Sequence, residues 1–191
     1  AGPVCVGVVT VTAATGQAPA GLADSKLLSA AAREALCPAL RGWAHGWSLG
    51  WASPAEIDQV GLTQALGLAG RRALGELKEE PDGIVLDGKH DWLTRPATLF
   101  ASGPPDPWSV RLAVKGDRRH ASVAAASVLA KVARDELMVE LAVDCPGYGW
   151  ESNKGYCSTG HMTAMRQLGM SQHHRRSWAL PGGQGAAGVR G

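Results

Sequence analysis

Nothing in this sequence supplies a membrane span, a zinc finger or a disulfide framework. No run approaches the roughly 18 consecutive apolar residues that a membrane span requires, and no charged stretch precedes an apolar one at the start, so a chain without a leader, located in the cytoplasm, is expected. The cysteines, Cys5, Cys37, Cys145 and Cys157, include no C-x-x-C pair, which removes the usual zinc and redox signatures and leaves reduced, structural thiols. Charge of one sign is missing as well: 19 Lys plus Arg against 17 Asp plus Glu leave a net +2, so there is no global case for a polyanion partner. No internal repeat is evident.

What is present suits one globular unit. A chain of 19.8 kDa that is 45% hydrophobic and 19% charged can bury a core. Residues 1–180 read as a single domain, and the Gly-rich tail 181–191 is expected to be disordered. Residues 1–100 carry 8 basic and 10 acidic side chains and residues 101–191 carry 11 and 7, so a nucleic-acid-facing surface would draw on the C-terminal half.

The β-branched run Val4, Val6, Val8, Val9 and Val11 predicts a strand, and Ser29 to Leu40 a helix with a Ser cap and a stop near Pro38. From 43 to 51 the odd positions Trp43, His45, Trp47, Leu49 and Trp51 alternate with small or polar residues, which predicts a strand whose tryptophans enter the core. Ser53, Pro54 and Glu56 supply an N-cap, a first-turn proline and a capping-box acid for one helix, and a second should run from Leu62 to about Glu79. Gly83 to Asp87 and Val110 to Val114 are short apolar runs of the kind that form buried parallel strands and deliver a side chain at their C-terminal ends. A Pro- and Gly-rich connection, Arg95 to Pro107, joins them. Ala121 to Val143 predicts the longest helix, Pro146 to Tyr156 a loop, and Thr159 to Leu168 a further helix. The alternation defines an α/β domain of two or three layers.

Asp87 and Asp117 each follow a strand-like run and sit beside a glycine. In one parallel sheet both carboxylates would emerge at the same edge, where they suit hard cations such as Mg²⁺ or Mn²⁺; that each merely caps the turn after its strand fits the spacing equally well. Lys115, Arg118, Arg119 and His120 surround Asp117, and Lys154, His161, His173, His174, Arg175 and Arg176 follow, as phosphate donors or as a solvated face. Ser25 and Lys26 precede a helix and could meet a phosphate. Tyr156 stands in a glycine-bearing loop with Tyr148 and Trp150, where an aromatic either stacks on a sugar or base or packs the loop. Asp135, adjacent to Arg134, reads as a structural ion pair.

Seven stretches, in order, carry a resemblance. Asp24-Ser25-Lys26-Leu27-Leu28-Ser29, Val85-Leu86-Asp87-Gly88, Val114-Lys115-Gly116-Asp117, Ala124 through Asp135, Pro146-Gly147-Tyr148-Gly149-Trp150, Asn153-Lys154-Gly155-Tyr156 and His174-Arg175-Arg176-Ser177-Trp178 resemble the successive motifs of bacterial ribonuclease HII. The resemblance implies a ribonuclease H-like mixed sheet flanked by helices, with a C-terminal helical segment. It implies a monomer that cuts RNA/DNA hybrids, and duplex DNA with embedded ribonucleotides on their 5′ side, using Mn²⁺ or Mg²⁺. Asp87 and Asp117 look like two of its four metal-binding carboxylates, and Tyr156 like the tyrosine beside the deoxyribose that follows the ribonucleotide. Ser25, Lys26, Lys115, Lys154, Arg175 and Arg176 would bind substrate.

In that family the first strand ends in an Asp-Glu pair and a Gly-Arg-Gly loop ahead of Ala-Gly-Pro-Val. This sequence begins at Ala1-Gly2-Pro3-Val4, so the first, central strand is expected to be absent, with unpaired edges at Val4 and Ile84. A shortened gene model or a fragment is the expected cause, and little or no cleavage by the chain alone the expected result. A non-catalytic hybrid-binding module is the alternative; an unrelated α/β protein with turn-capping acids is disfavoured by the ordered motifs. Leu27 stands where the family usually has a second Lys.

Overall fold

The structure, a computed structural model, describes residues 1–23, 25–95, 106 and 108–178. The expected tail 181–191 and most of the Arg95 to Pro107 connection lie outside them. The β-branched run forms β1 (Val4–Thr10), which pairs antiparallel with β2 (Gly46–Ala52), Val4 opposite Ala52 and Thr10 opposite Gly46. Between them α1 (Ala30–Trp43) opens on Ser29, whose Oγ accepts the Ala32 N–H at 3.2 Å. The helix does not stop near Pro38 but continues to Trp43. Proline inside a helix costs about 3 kcal/mol; burial of its neighbours Cys37 and Leu40 in a core with Ala125, Val128, Leu129 and Val132 offsets that.

The period-2 reading identified the strand, which begins at Gly46 because Trp43 ends α1; Trp43 and Leu49 pack against the core as expected, but the opposite face is the more deeply buried one. Ser48, Gly50 and Ala52 are buried, whereas Trp47 is 37% exposed beneath the Arg41 guanidinium, and Trp51 is half-buried. The cause is a helix that lies too close for tryptophan. α2 (Pro54–Val60) starts with both bonds of the expected capping box, and α3 (Leu62–Gly75) follows. A Cβ on Gly50 would stand 1.9 Å from the Ala69 carbonyl oxygen of α3, and Ser48 Oγ donates to the Ala73 carbonyl at 2.6 Å. α3 ends at Gly75 rather than near Glu79, because glycine holds a helix poorly.

β3 (Gly83–Asp87) and β4 (Ser109–Ala113) pair in parallel, Gly83 opposite Ser109 and Asp87 opposite Ala113. The longest helix, α4 (Ala121–Asp144), lies under β1 on the face opposite α3: a Cβ on Gly7 would meet the Ala126 carbonyl oxygen at 2.4 Å. The expected loop before Tyr156 contains a single turn, α5 (Trp150–Asn153), and α6 (Thr159–Leu168) closes the described chain over Met138, Tyr148, Trp150 and Met165. No described helix is long and apolar enough to cross a membrane.

The strands make two two-stranded sheets, β1 with β2 and β3 with β4. Among the described residues β1 and β3 do not pair; a cleft of about 710 Å³ separates them. Its walls are β1 and β3 at the edges, Leu66, Gly70 and Leu74 of α3 on one face, and Ala126, Ser127, Ala130 and Lys131 of α4 on the other.

Candidate metal and nucleic-acid site

Backbone geometry ties the turn that bears Asp117 to the end of β3. Beyond β4, Lys115 takes up a left-handed conformation (φ 56°, ψ 44°), which costs a non-glycine residue about 1 kcal/mol and reverses the chain. The Gly116 N–H thereby donates to Asp87 Oδ1 at 2.8 Å, and a 3₁₀ turn, Gly116–Arg118, carries Asp117 beside it. A Cβ at 116 would come within 3.3 Å of that oxygen and 3.2 Å of the Ala113 Cβ, so both would have to give by a few tenths of an ångström to admit one. Asp87 is exposed and Asp117 half-buried, and Lys26, Asp117 and Arg118 each interact with neighbouring groups.

Two carboxylates suit one hydrated divalent ion, which keeps several waters and takes one or two protein oxygens. A pair of ions needs more, and no group of three or more His, Cys, Asp or Glu placed to hold a metal exists among the described residues. The acids placed together among the described residues therefore fall short of what two ions need.

The cleft that passes Asp87 is rimmed further along by Lys131, Arg134 and Tyr156. Tyr156 is 56% exposed, with Lys131 Nζ 5.1 Å and Arg134 Cζ 5.0 Å from its ring centroid. Lys131 pairs with Asp135 four residues on, and Arg134 lies 3.6 Å from the same carboxylate, so Asp135 has the structural role expected of it. Arg134 also donates to the Lys154 carbonyl at 2.6 Å. The sequence reading did not single out Lys131 and Arg134, which line the cleft. The signal was available: Val123, Ser127, Lys131 and Arg134 recur at helical spacing along the stripe of α4 that faces the cleft.

The other expected site residues are dispersed. Ser25 is buried in the cleft wall, its hydroxyl 2.6 Å from that of Ser127. Lys26 and Lys115 are exposed and lie off the cleft lining, and the Lys154 ammonium is turned onto the Glu151 carbonyl. Arg175 donates to the Gly2 carbonyl at 3.2 Å and stacks 4.6 Å over Trp178; burial, and the Arg134 charge beside it, pull its guanidinium below the ordinary value. Arg176 is exposed, its backbone N–H held by Asp58 at 2.8 Å. Cys5, in the cleft wall, has its thiol pushed up to about 12 by burial and is inert as a nucleophile.

Behind Tyr156 lies a buried polar network. His161 Nδ1 is 2.8 Å from the Tyr156 carbonyl oxygen, so it must be the protonated nitrogen, which leaves Nε2 as acceptor for Trp150 Nε1–H at 3.1 Å. His174 Nδ1 accepts the Ser171 N–H at 3.0 Å, so its Nε2–H points at His161 Nε2, 3.1 Å away. Both imidazoles are neutral in this arrangement. Burial, with His161 second, pushes His174 down to about 4, and burial lowers His161.

Two helix layers enclosing strands that end in paired acids, with a cationic and aromatic rim, define an α/β nuclease of the ribonuclease H-like fold. Two archaeal structures share that fold: ribonuclease H2 of Pyrococcus horikoshii superposes with a TM-score of 0.64 at 22% identity over 93% of this chain and 94% of that one. Ribonuclease HII of Archaeoglobus fulgidus, solved in complex with PCNA, gives 0.66 at 19% identity over 92% and 86%. The ribonuclease HII family profile matches residues 1–180, and ribonuclease HII of Streptomyces coelicolor is 49% identical over 176 residues, covering 91% of this chain and 71% of that protein. The chain belongs to the ribonuclease HII family, whose members are nucleases acting on RNA/DNA hybrids.

Proposed function

We propose that this chain carries the substrate-binding part and two of the acids of a divalent-metal endonuclease that cuts the RNA strand of hybrids and incises duplex DNA on the 5′ side of an embedded ribonucleotide, leaving a 5′-phosphate. The observation that supports this reading is the hydrogen bond from the Gly116 N–H to Asp87 Oδ1, which ties the turn that bears Asp117 to the end of β3. Asp87 and Asp117 would hold Mn²⁺ or Mg²⁺, which when bound supplies an activated water and charge neutralisation at the leaving 3′ oxygen. Tyr156, rigid over Lys131 and Arg134, offers a ring face to the sugar next to the scissile bond. Ser25, Lys26, Lys115, Lys154, Arg175 and Arg176 are the candidates for backbone phosphates and set the orientation of the duplex. The protein would act as a monomer in the cytoplasm.

Because the described residues assemble no third metal ligand, the chain assayed by itself is expected to cut little or not at all. That same observation favours a second reading, a module that binds hybrids without cutting them. A duplex with one ribonucleotide, incubated with Mn²⁺ and either this chain or the chain extended upstream by an Asp-Glu-bearing segment, separates the two. Cleavage 5′ of the ribonucleotide by the extended chain supports the nuclease reading. Binding without cleavage by both chains supports the module, and family-like cleavage by the chain alone refutes the expectation of inactivity.

A further inference from the structure

We propose that His161 is a positioning residue for Tyr156, and that it joins this ring to the turn bearing Arg175 and Arg176. The proposal rests on the reading of Tyr156 as a contact for nucleic acid. Tyr156 sits on a loop, exposed, where a ring would ordinarily sample several rotamers. Its backbone is nevertheless fixed at both ends. The N–H donates to the Asn153 carbonyl at 2.9 Å; the carbonyl accepts from Ser158 N–H at 2.9 Å and from His161 Nδ1. The Ser158 bond spans only two residues, a turn with poor hydrogen-bond geometry, so the imidazole is the stronger restraint.

The imidazole is in turn held from behind. Its Nε2 receives Trp150 Nε1–H and His174 Nε2–H, and His174 is clamped by Ser171. Trp150, His161 and His174 are each no more than 2% exposed, so water cannot replace any member. His174 immediately precedes Arg175 and Arg176. Two surface elements far apart in sequence, the Tyr156 ring and the Arg175–Arg176 turn, are thus registered to each other through two side chains. A duplex that touches both would meet a preformed spacing and lose less conformational freedom on binding.

Substitutions at 161 can separate positioning from mere packing. In His161→Asn the amide nitrogen falls near Nδ1 and still donates to Tyr156; in His161→Gln the amide reaches the Nε2 position and that donation is lost. With only two tyrosines in the chain, 3-fluorotyrosine labelling gives two ¹⁹F signals. The Tyr156 signal should stay in place in H161N and move in H161Q. Affinity for a fluorescein-labelled 12-base-pair RNA/DNA hybrid in EDTA should fall about tenfold in both H161Q and Tyr156→Ala, the order of one stacked base, with no further loss in the double variant. A Tyr156 signal unmoved in H161Q, or moved equally in both variants, overturns the proposal. If the signal moves as stated while Tyr156→Ala binds like the parent, the substrate reading of Tyr156 falls and the positioning role stands. Should H161Q not fold, long-range ¹⁵N–¹H correlation on the parent decides: an Nδ1–H tautomer at His161 supports the arrangement, and an Nε2–H tautomer overturns it.

Discussion

Asp87 gives one carboxylate oxygen to a backbone N–H and so has a structural and a chemical duty that can be pulled apart. Asparagine keeps an Oδ1 that accepts from Gly116 and loses the charge a cation needs. Asp87→Asn should therefore leave unfolding free energy within about 0.5 kcal/mol of the parent, while Mn²⁺ binding, read from the free-ion electron paramagnetic resonance signal, weakens at least about tenfold. The buried histidines make a second prediction. An added proton on His161 Nε2 would face Trp150 N–H and His174 N–H with no acceptor, and His173 lies close to His174. Burial pushes His174 down to about 4, below the ordinary histidine value of about 6.5, so its contribution is full above about pH 6.5 and is lost as pH falls toward 4. Urea unfolding should lose about 2 kcal/mol between pH 7 and 4.5. His174→Gln isolates the histidine part: it should flatten the dependence, and an equal slope in that variant would contradict the assignment.

At the scale of elements, the β1–β2 hairpin is clamped between two helices by glycines on opposite faces. Gly50 lets α3 seat, and Gly7 does the same for α4. Gly50→Ala places a methyl against the Ala69 carbonyl and the Ala73 nitrogen, both backbone, so no rotamer relieves it. A loss of about 3 kcal/mol is expected, seen as a drop in Tm, whereas Gly42→Ala, with open space around the added methyl, should cost nothing or stabilise slightly. These contacts also explain which parts of the fold could be read in advance. Caps are local chemistry, so the Ser29 cap and the Ser53–Glu56 box stand where expected. So does α4; β3 and β4 form a parallel pair as expected, but they are not buried strands, since only Leu86 and Ala113 of the two are buried. The faces of β2 are not local: alternation names two faces, and both are covered, Leu49 packing on the core while a helix approaches the other near enough to admit only Ser, Gly and Ala. Pro38 failed as a stop for the same reason, since tertiary burial outweighed a local penalty. At the candidate site, Asp87 and Asp117 could be singled out in advance because each follows a strand-like run beside a glycine, while Lys131 and Arg134 were hidden in a helix whose charges look like an ordinary solvated face.

Across the whole molecule, the feature that governs behaviour is the cleft between β1 and β3. Its edges present backbone donors and acceptors along β1 and β3, and its walls are helical stripes that would ordinarily cover a sheet on both faces. Unpaired edges of this kind recruit other strands, and apolar walls around 710 Å³ of open volume forgo the packing that a domain of this size relies on. Two outcomes compete for the chain by itself: slow self-association through the cleft, or a marginally stable monomer that binds hydrophobic dyes. Both have one remedy, an extended segment lying between β1 and β3 and hydrogen-bonded to each. The chain extended upstream by an alternating apolar segment should therefore show a higher Tm, weaker dye binding and a mass by light scattering that no longer rises with concentration. Slower amide exchange should appear in β1 and β3 together, because a strand seated in the cleft pairs with both edges, whereas protection of β1 alone would mean that the segment had docked elsewhere. Substituting proline at alternate positions of the added segment removes ladder donors without removing apolar surface; if stabilisation survives that change, the cleft is a greasy pocket and not a seat for a strand.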